Sequence, residues 1–359
     1  VITTEIAELE DVRAVAADFF AKHRAALDDD GSPRYDRGLW RRACSDLGVA
    51  AILEPETDGG LDGGAAMLAA VLVEAGRSLS PLPLLGSAVL AQTALRLVAE
   101  DAERAELLDG LVAGEVIATL APWEESLTRV TATAEGRDWS LTGTVSRVLD
   151  GGVADLALLL APVDDRVGLF ALGTGGEAPS WEPQPTVDLT RTFARLRLDG
   201  TPARLLGVAD RGVVDQLAHW RTLAVVGDQL GGAEACLDAT LDYLRTRVQF
   251  GRVLGSFQSL KHQCADLAVL VDDIRSALAH LVWALDESPG DVPSAAAVAA
   301  IAGSDAYVTC AEEMVHLHGG IGFTWEHDAH RYVRRALTDR GAFHDVRAAR
   351  EELLAAHGL

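Results

Sequence analysis

Two short segments carry residue types that could grip an anion. The first reads Arg247-Val248-Gln249-Phe250-Gly251-Arg252-Val253-Leu254-Gly255-Ser256-Phe257-Gln258. A helix ends at its glycine, a tight turn follows, and a new helix is expected to start with Ser256 as its N-cap. That leaves Arg247 at one helix end and Gln258 near the next helix start. An arginine beside a helix N-terminus can hold a pyrophosphate: the guanidinium gives paired hydrogen bonds and the first helical turn gives free N–H groups. An ordinary interhelical turn with a surface ion pair accounts for the same residues. The second segment reads His316-Leu317-His318-Gly319-Gly320-Ile321-Gly322-Phe323-Thr324-Trp325-Glu326-His327-Asp328. Glycines at 319, 320 and 322 let a backbone approach a ligand closely. A helix C-cap followed by a turn is the plainer reading. The histidines alone do not make a metal site, because no carboxylate cluster stands with them.

These segments must be positioned by helices. Between Phe257 and Leu285, apolar residues fall at Leu260, Cys264, Leu267, Val271, Ile274, Leu278, Leu281 and Leu285, in steps of four and three. That stripe is the seam of a helix bundle. The helix before it carries Leu217, Leu223, Leu230, Leu237, Leu241 and Leu244, with Gly227, Gly231 and Gly232 inside it. Glycine within a helix costs roughly 1 kcal/mol against alanine, so close approach of another helix is expected there. Further helices are expected over 294–317, with Pro293 as starter, over 328–337 and over 343–357. Upstream, short Val-, Leu- and Thr-rich runs at 130–134, 139–143, 157–161, 167–172 and 192–198 read as a small antiparallel β-domain, with Pro183 and Pro185 in a loop. The first third reads as helices over 3–27, 35–47, 65–75, 85–98 and 102–112. The first of these shows Ile6, Leu9, Val12, Val15 and Phe19 on one face and breaks at Ser32-Pro33-Arg34. The fold class is therefore α+β and mainly α. A helical domain (1–114) is followed by a middle β-domain (115–207) and a C-terminal four-helix bundle (208–359).

The chain has 359 residues and a formal net charge of −23. Such a surface repels phosphate backbones, so no nucleic-acid partner is expected, and any anion site must be locally basic. No apolar run reads as a membrane span and no signal-peptide core is visible, so a soluble, cytoplasmic protein is expected. Cys44, Cys236, Cys264 and Cys310 are far apart and lack ligand spacing, which reads as buried free thiols.

Together the two segments resemble the acyl-CoA dehydrogenase family. The family's bundle has an RxxFG turn with a Gln eleven residues after the Arg, matched by Arg247, Phe250, Gly251 and Gln258. Its QxxGG turn is matched by residues 316–320, with His316 replacing the Gln. Leu47-Gly48-Val49 with Pro55-Glu56 and Gly59-Gly60 is similar to its N-terminal LG…PExxGG segment. Leu141-Thr142-Gly143 with Ala154-Asp155 is similar to its LTG…AD pattern. The resemblance implies the acyl-CoA dehydrogenase fold and an FAD shared across a subunit interface. Arg247, Phe250, Gln258, His316, Gly319 and Gly320 would hold its ADP half.

The resemblance fails at the flavin-ring side. Relatives carry a TExxxGSD-like loop and a WxTN-like strand; the corresponding places here read Thr119-Leu120-Ala121-Pro122-Trp123-Glu124-Glu125-Ser126 and Ser146-Arg147-Val148-Leu149-Asp150-Gly151-Gly152. One group of relatives has its catalytic Glu where this chain reads Gly341-Ala342-Phe343-His344-Asp345, so Asp345 is the candidate base if the alignment slips by one or two residues. Another group has it on the first bundle helix, which here reads His219-Trp220-Arg221-Thr222, with Asp228 two turns on. An intact ADP half beside a degraded ring half resembles the less conventional subunit of paired dehydrogenases that oxidise steroid side-chain CoA thioesters. The implied partners are a homologous subunit, in a heterotetramer, an acyl-CoA substrate and an electron-transfer flavoprotein. A self-sufficient homo-oligomer with a divergent pocket and a structural subunit without FAD are the alternatives.

Overall fold

In the computed structural model, residues 2–23, 35–136, 138–173, 180–343 and 345–356 are described. The first third is helical: α1 (Ile2–Lys22), α2 (Arg37–Leu47), α3 (Gly64–Arg77), a π-helical segment (Leu84–Ala91) that runs into α4 (Gln92–Val98), and α5 (Asp101–Val112). Asp36 caps α2 by accepting from Gly38 and Leu39 N–H, and Gly48 ends it at φ 62°, the left-handed C-cap that glycine adopts without strain. The buried side of α1 runs through Ala16, Phe19 and Phe20, whereas Val15 is exposed, which corrects the expected face. The break expected at residues 32–34 lies outside the described residues. The stretch 85–98, expected as one α-helix, starts as a wholly buried π-helix.

The middle of the chain holds β1 (Ala118–Leu120), α6 (Trp123–Arg129), β2 (Val130–Glu135), β3 (Asp138–Leu149), β4 (Leu156–Val163), β5 (Arg166–Leu172), β6 (Trp181–Gln184) and β7 (Phe193–Ala209). They form one sheet in the order β1-β4-β5-β7-β3-β2, with β6 also on β7. The β1–β4 pairing is parallel, so the sheet is not purely antiparallel as expected. Pro183 lies in strand β6, opposite Ala194, rather than in a loop. A proline has no N–H to give a ladder, and an edge strand tolerates that.

The C-terminal part comprises α7 (Val213–Thr246), a hairpin of β8 (Val248–Gln249) and β9 (Arg252–Val253), α8 (Gln258–Glu287), α9 (Val292–His318), α10 (Ala329–Ala342) and α11 (Val346–Ala356). The glycines of α7 sit where backbones meet. A Cβ at Gly231 would lie 1.8 Å from the carbonyl oxygen of Val73 on α3, and one at Gly232 would lie 2.3 Å from the Tyr307 ring on α9. Close approach, rather than flexibility, is what these glycines provide. A further bond ties the first domain to the bundle: Asp286 at the end of α8 accepts from Ala65 and Ala66 N–H at the start of α3. The four cysteines are free and buried. The expectation that no run reads as a membrane span needs correction. Val292–Phe323 is long and apolar enough by length and composition, but 67% of its apolar 18-residue stretch is buried, as befits the central helix of a bundle.

Candidate functional site

The two glycine-bearing turns meet at one end of the bundle. His318, in the last turn of α9, stacks on Tyr243 near the end of α7 with ring centroids 4.5 Å apart, and lies 4.3 Å from His327. Its Nδ1 is 2.7 Å from the Met314 carbonyl oxygen. Burial holds its pKa below the usual histidine value, so the neutral ring acts as a spacer between α7 and the turn that follows α9.

Arg247 stands directly after α7 and opens the β8–β9 hairpin, with Leu254 N–H returning to its carbonyl at 2.8 Å. The hairpin's two-residue turn is Phe250-Gly251, with φ of 54° and 76°. Positive φ at both turn positions is the hairpin geometry that asparagine and glycine normally supply. A phenylalanine held there is strained, and its ring is 88% exposed. Strain of that kind persists where the surroundings use it. Behind it, Phe257 packs edge-on to Phe250 at 6.1 Å and lies 3.8 Å under the Arg252 guanidinium.

Ser256 is not the N-cap that the sequence suggests. It lies in a 3-10 turn, its Oγ donates to the Val253 carbonyl, and Phe257 occupies the cap position of α8 with no side-chain bond. The first turn of α8 therefore keeps uncapped N–H groups, and Gln258 is its first residue. Among the described residues, Arg247, Arg252 and Lys261 have no carboxylate partner, so this corner of an acidic protein is locally basic. Gly319, at φ 62°, and Gly320 face open space in the direction a Cβ would take. His316 is exposed, and its Nδ1 lies 3.2 Å from Glu313. A neutral imidazole has a single N–H, so Glu313 competes with a ligand for it. Arg247, Phe250, Gln258, His316, Gly319 and Gly320 are all exposed on this end. Unpaired guanidiniums, free helical N–H groups, bare glycine backbone and an exposed aromatic ring fit the ADP half of a dinucleotide.

Asp345 lies elsewhere, at the junction of β-domain and bundle. It lines two adjoining clefts of about 580 and 350 Å³ that also share Trp123, Glu124, Arg221 and Phe343. It caps α11: Oδ1 accepts from Arg347 N–H at 3.0 Å and Ala348 N–H at 3.1 Å. Across the clefts Arg221 lies 4.3 Å over the Trp123 ring and pairs with Glu124 at 2.7 Å. Trp123 and Glu124 open α6, a helix absent from the sequence expectations because its seven residues are too few for periodicity to show. His219 lines the larger cleft, and burial lowers its pKa. The backbone donors at the bend of β3 are consumed internally: Ser146 N–H by Glu125 at 2.9 Å and Arg147 N–H by Gln184 at 2.7 Å.

Beneath the smaller cleft lies Asp150, two residues beyond Val148 and next to the cleft-lining Leu149. It is 7% exposed, has φ 56°, and carries a pKa raised by burial to about 7, partly offset by Arg191 and Thr192. Asp228 lines neither of these two clefts. It is locked in a buried ionic cluster with Arg335 and Arg191.

A helical domain, a β-domain and a helix bundle, with a nucleotide-type corner on the bundle and clefts at the domain junction, define a flavin-dependent dehydrogenase architecture. The chain belongs to the acyl-CoA dehydrogenase family: residues 4–115 match that family's N-terminal domain and residues 211–342 its C-terminal domain. Among its relatives is acyl-CoA dehydrogenase IpdE2 of Mycobacterium tuberculosis, 35% identical over 342 residues and covering 92% of this chain and 91% of that protein. Acyl-CoA dehydrogenase FadE27 of the same organism is 33% identical over 88% of this chain and 86% of its own. Among solved structures, a chain of the Tcur3481–Tcur3483 steroid acyl-CoA dehydrogenase G363A variant matches with a TM-score of 0.86 and 29% identity over 99% of both chains. The ChsE4–ChsE5 complex from Mycobacterium tuberculosis matches with a TM-score of 0.86 and 29% identity, over 98% of this chain and 97% of the other.

Proposed function

We propose that this chain is one subunit of a hetero-oligomeric, FAD-dependent acyl-CoA dehydrogenase, in which it holds the ADP half of the flavin and a homologous partner supplies the ring pocket and the base. The contrast between its two candidate regions carries the reading. The ADP-type corner is open, basic and unpaired, whereas the β3 donors on the other side are already bonded to Glu125 and Gln184. Bound FAD would supply the hydride acceptor for α,β-dehydrogenation of a CoA thioester. Arg247 would neutralise and orient the diphosphate, the first turn of α8 would give it N–H bonds, and Gly319 and Gly320 would let backbone lie against it. The exposed rings of Phe250, Phe323 and Trp325 would be covered by the partner, since exposed apolar clusters of this kind mark interfaces. The family likeness to steroid-acting, two-component relatives supports a steroid side-chain CoA substrate. An electron-transfer flavoprotein as acceptor and a cytoplasmic location complete the proposal.

One observation favours a self-sufficient enzyme: Asp345 lines both clefts. Its cap on α11 argues for the other side, because Oδ1 already accepts two backbone N–H bonds that fix the carboxyl group on the helix end. Expression decides between them. The chain alone is expected to purify almost colourless, and co-expression with an adjacently encoded homologue is expected to give a yellow, acyl-CoA-oxidising complex. Full flavin occupancy and turnover by the lone chain would reject the paired assembly.

A further inference from the structure

A cluster of buried charges joins three parts of the chain, and its charges do not balance. Arg335 of α10, 0% exposed, gives Nε to Asp188 at 2.6 Å, Nη1 to Asp228 at 2.9 Å, and Nη2 to Thr190 Oγ1 at 2.5 Å and the Ser80 carbonyl at 3.3 Å. Arg191 gives Nη2 to Asp228 at 3.1 Å. Its Nε lies 3.1 Å from Asp339 Oδ1, but the N–H is not aimed at that oxygen, and neither atom has a hydrogen-bond partner. Both oxygens of Asp339, itself 0% exposed, are left without a donor. Two guanidiniums neutralise Asp188 and Asp228, so Asp339 is the surplus charge. An ionised carboxylate without a donated hydrogen bond is the most unfavourable group to bury. Asp339 also lies within hydrogen-bonding reach of the Asp228 carboxylate. Two carboxylates so placed require a proton between them.

We propose that Asp339 is a neutral carboxylic acid that donates to Asp228, and that this shared proton is a pH-dependent clasp between the β-domain, α7 and α10. Its effect reaches the clefts. Arg191 lies 5.3 Å over the Phe343 ring, and Phe343 lines both clefts four residues beyond Asp339. Loss of the proton leaves Arg191 drawn towards a full Asp339 charge and away from that ring. The other titratable groups facing the dyad are Asp150 from the end of β3 and the Tyr307 hydroxyl from α9, which has no partner. Burial raises the pKa of Asp339 well above the carboxylate range and the guanidiniums hold that of Asp228 below it, in agreement with the geometry. The sign follows: the stabilisation is complete below a carboxylate's ordinary pKa and is lost as pH rises towards the raised folded value.

The test uses the assembled protein in an Asp150→Asn background, so that the second buried acid contributes nothing. Thermal unfolding is followed at pH 6.0 and pH 9.5 for this background and with Asp339→Asn added. The background is expected to lose several degrees of Tm between the two pH values, and Asp339→Asn to remove most of that loss while retaining the low-pH Tm. Adding Asp228→Asn to Asp339→Asn leaves one guanidinium unbalanced and is expected to cost more than the two single changes summed. Equal destabilisation by Asp339→Asn at both pH values would overturn the proposal, because Asp339 would then be an ionised partner of Arg191. Should the asparagine variants fail to fold, hydrogen exchange of residues 339–349 in the background protein gives the answer. Protection, corrected for intrinsic rates, is expected to fall with rising pH, and a flat profile refutes the clasp.

Discussion

Replacing Asp150 by asparagine separates charge from shape. The residue sits at φ 56°, a conformation that Asn and Asp both tolerate, and the amide occupies the same volume as a protonated carboxyl. Its backbone bonds, N–H to Thr192 O and carbonyl to Val153 and Ala154 N–H, are untouched. The buried acid has its pKa raised from 3.8 to about 7. A carboxyl with a raised folded pKa binds protons more tightly when folded, so the protein loses stability as pH rises from about 4 to about 7 and then levels off. Between pH 5 and pH 8 this group alone removes roughly 2–3 kcal/mol. Asp150→Asn lacks that loss, so its advantage over the wild type grows by that amount across the interval. Urea unfolding of the purified assembly at the two pH values, followed by tryptophan fluorescence, measures it. An equal wild-type-to-variant difference at pH 5 and pH 8 would show that Asp150 is ionised in the fold throughout.

Three other substitutions probe the nucleotide corner and the core. Arg247→Ala should weaken FAD retention by roughly 10- to 100-fold, the worth of a charge-assisted hydrogen bond to phosphate; flavin absorbance after dialysis measures it, and unchanged content removes Arg247 from the site. His316→Gln should keep or improve FAD retention, because the amide carries two N–H donors whereas a neutral imidazole has one, for which Glu313 competes; a loss by the same assay contradicts this. Gly231→Ala should lower Tm by several degrees or abolish soluble expression, since its Cβ would sit 1.8 Å from a carbonyl oxygen; a wild-type Tm shows that α3 and α7 are less closely packed.

The helices and the two glycine-bearing segments are legible in the sequence because their signals are local. The 3.6-residue stripe of α8, the proline at the start of α9 and the glycine that closes α9 each act within a few residues; the glycine expected to end α7, Gly251, lies instead in the β8–β9 turn, and α7 ends at Thr246. Regions where distant residues settle the outcome are not legible. Arg335 and Asp339, one helical turn apart, carry no local sign of burial; in the fold Asp188, Asp228 and Thr190 arrive around Arg335 from the β-domain and α7. The one available signal is Asp228, the only charged residue in the apolar and glycine-rich stretch from Leu223 to Gly232. Ser256 reads as a cap because its type favours that position, but the 3-10 turn before α8 turns its hydroxyl back to Val253. Strand β1 and helix α6 are three and seven residues long, too short for either periodicity to register.

The glycine contacts of α7 carry a consequence for how ligand preference can change. Where Gly231 meets Val73 and Gly76 meets Asp228, two helical backbones touch without intervening side chains, so α7 cannot slide or tilt against α3 without collision. Ala218, His219, Arg221 and Thr222, which wall the larger cleft, belong to that same rigid rod. A change in what that cleft can hold must therefore come from exchanging those side chains, because the wall itself has nowhere to go.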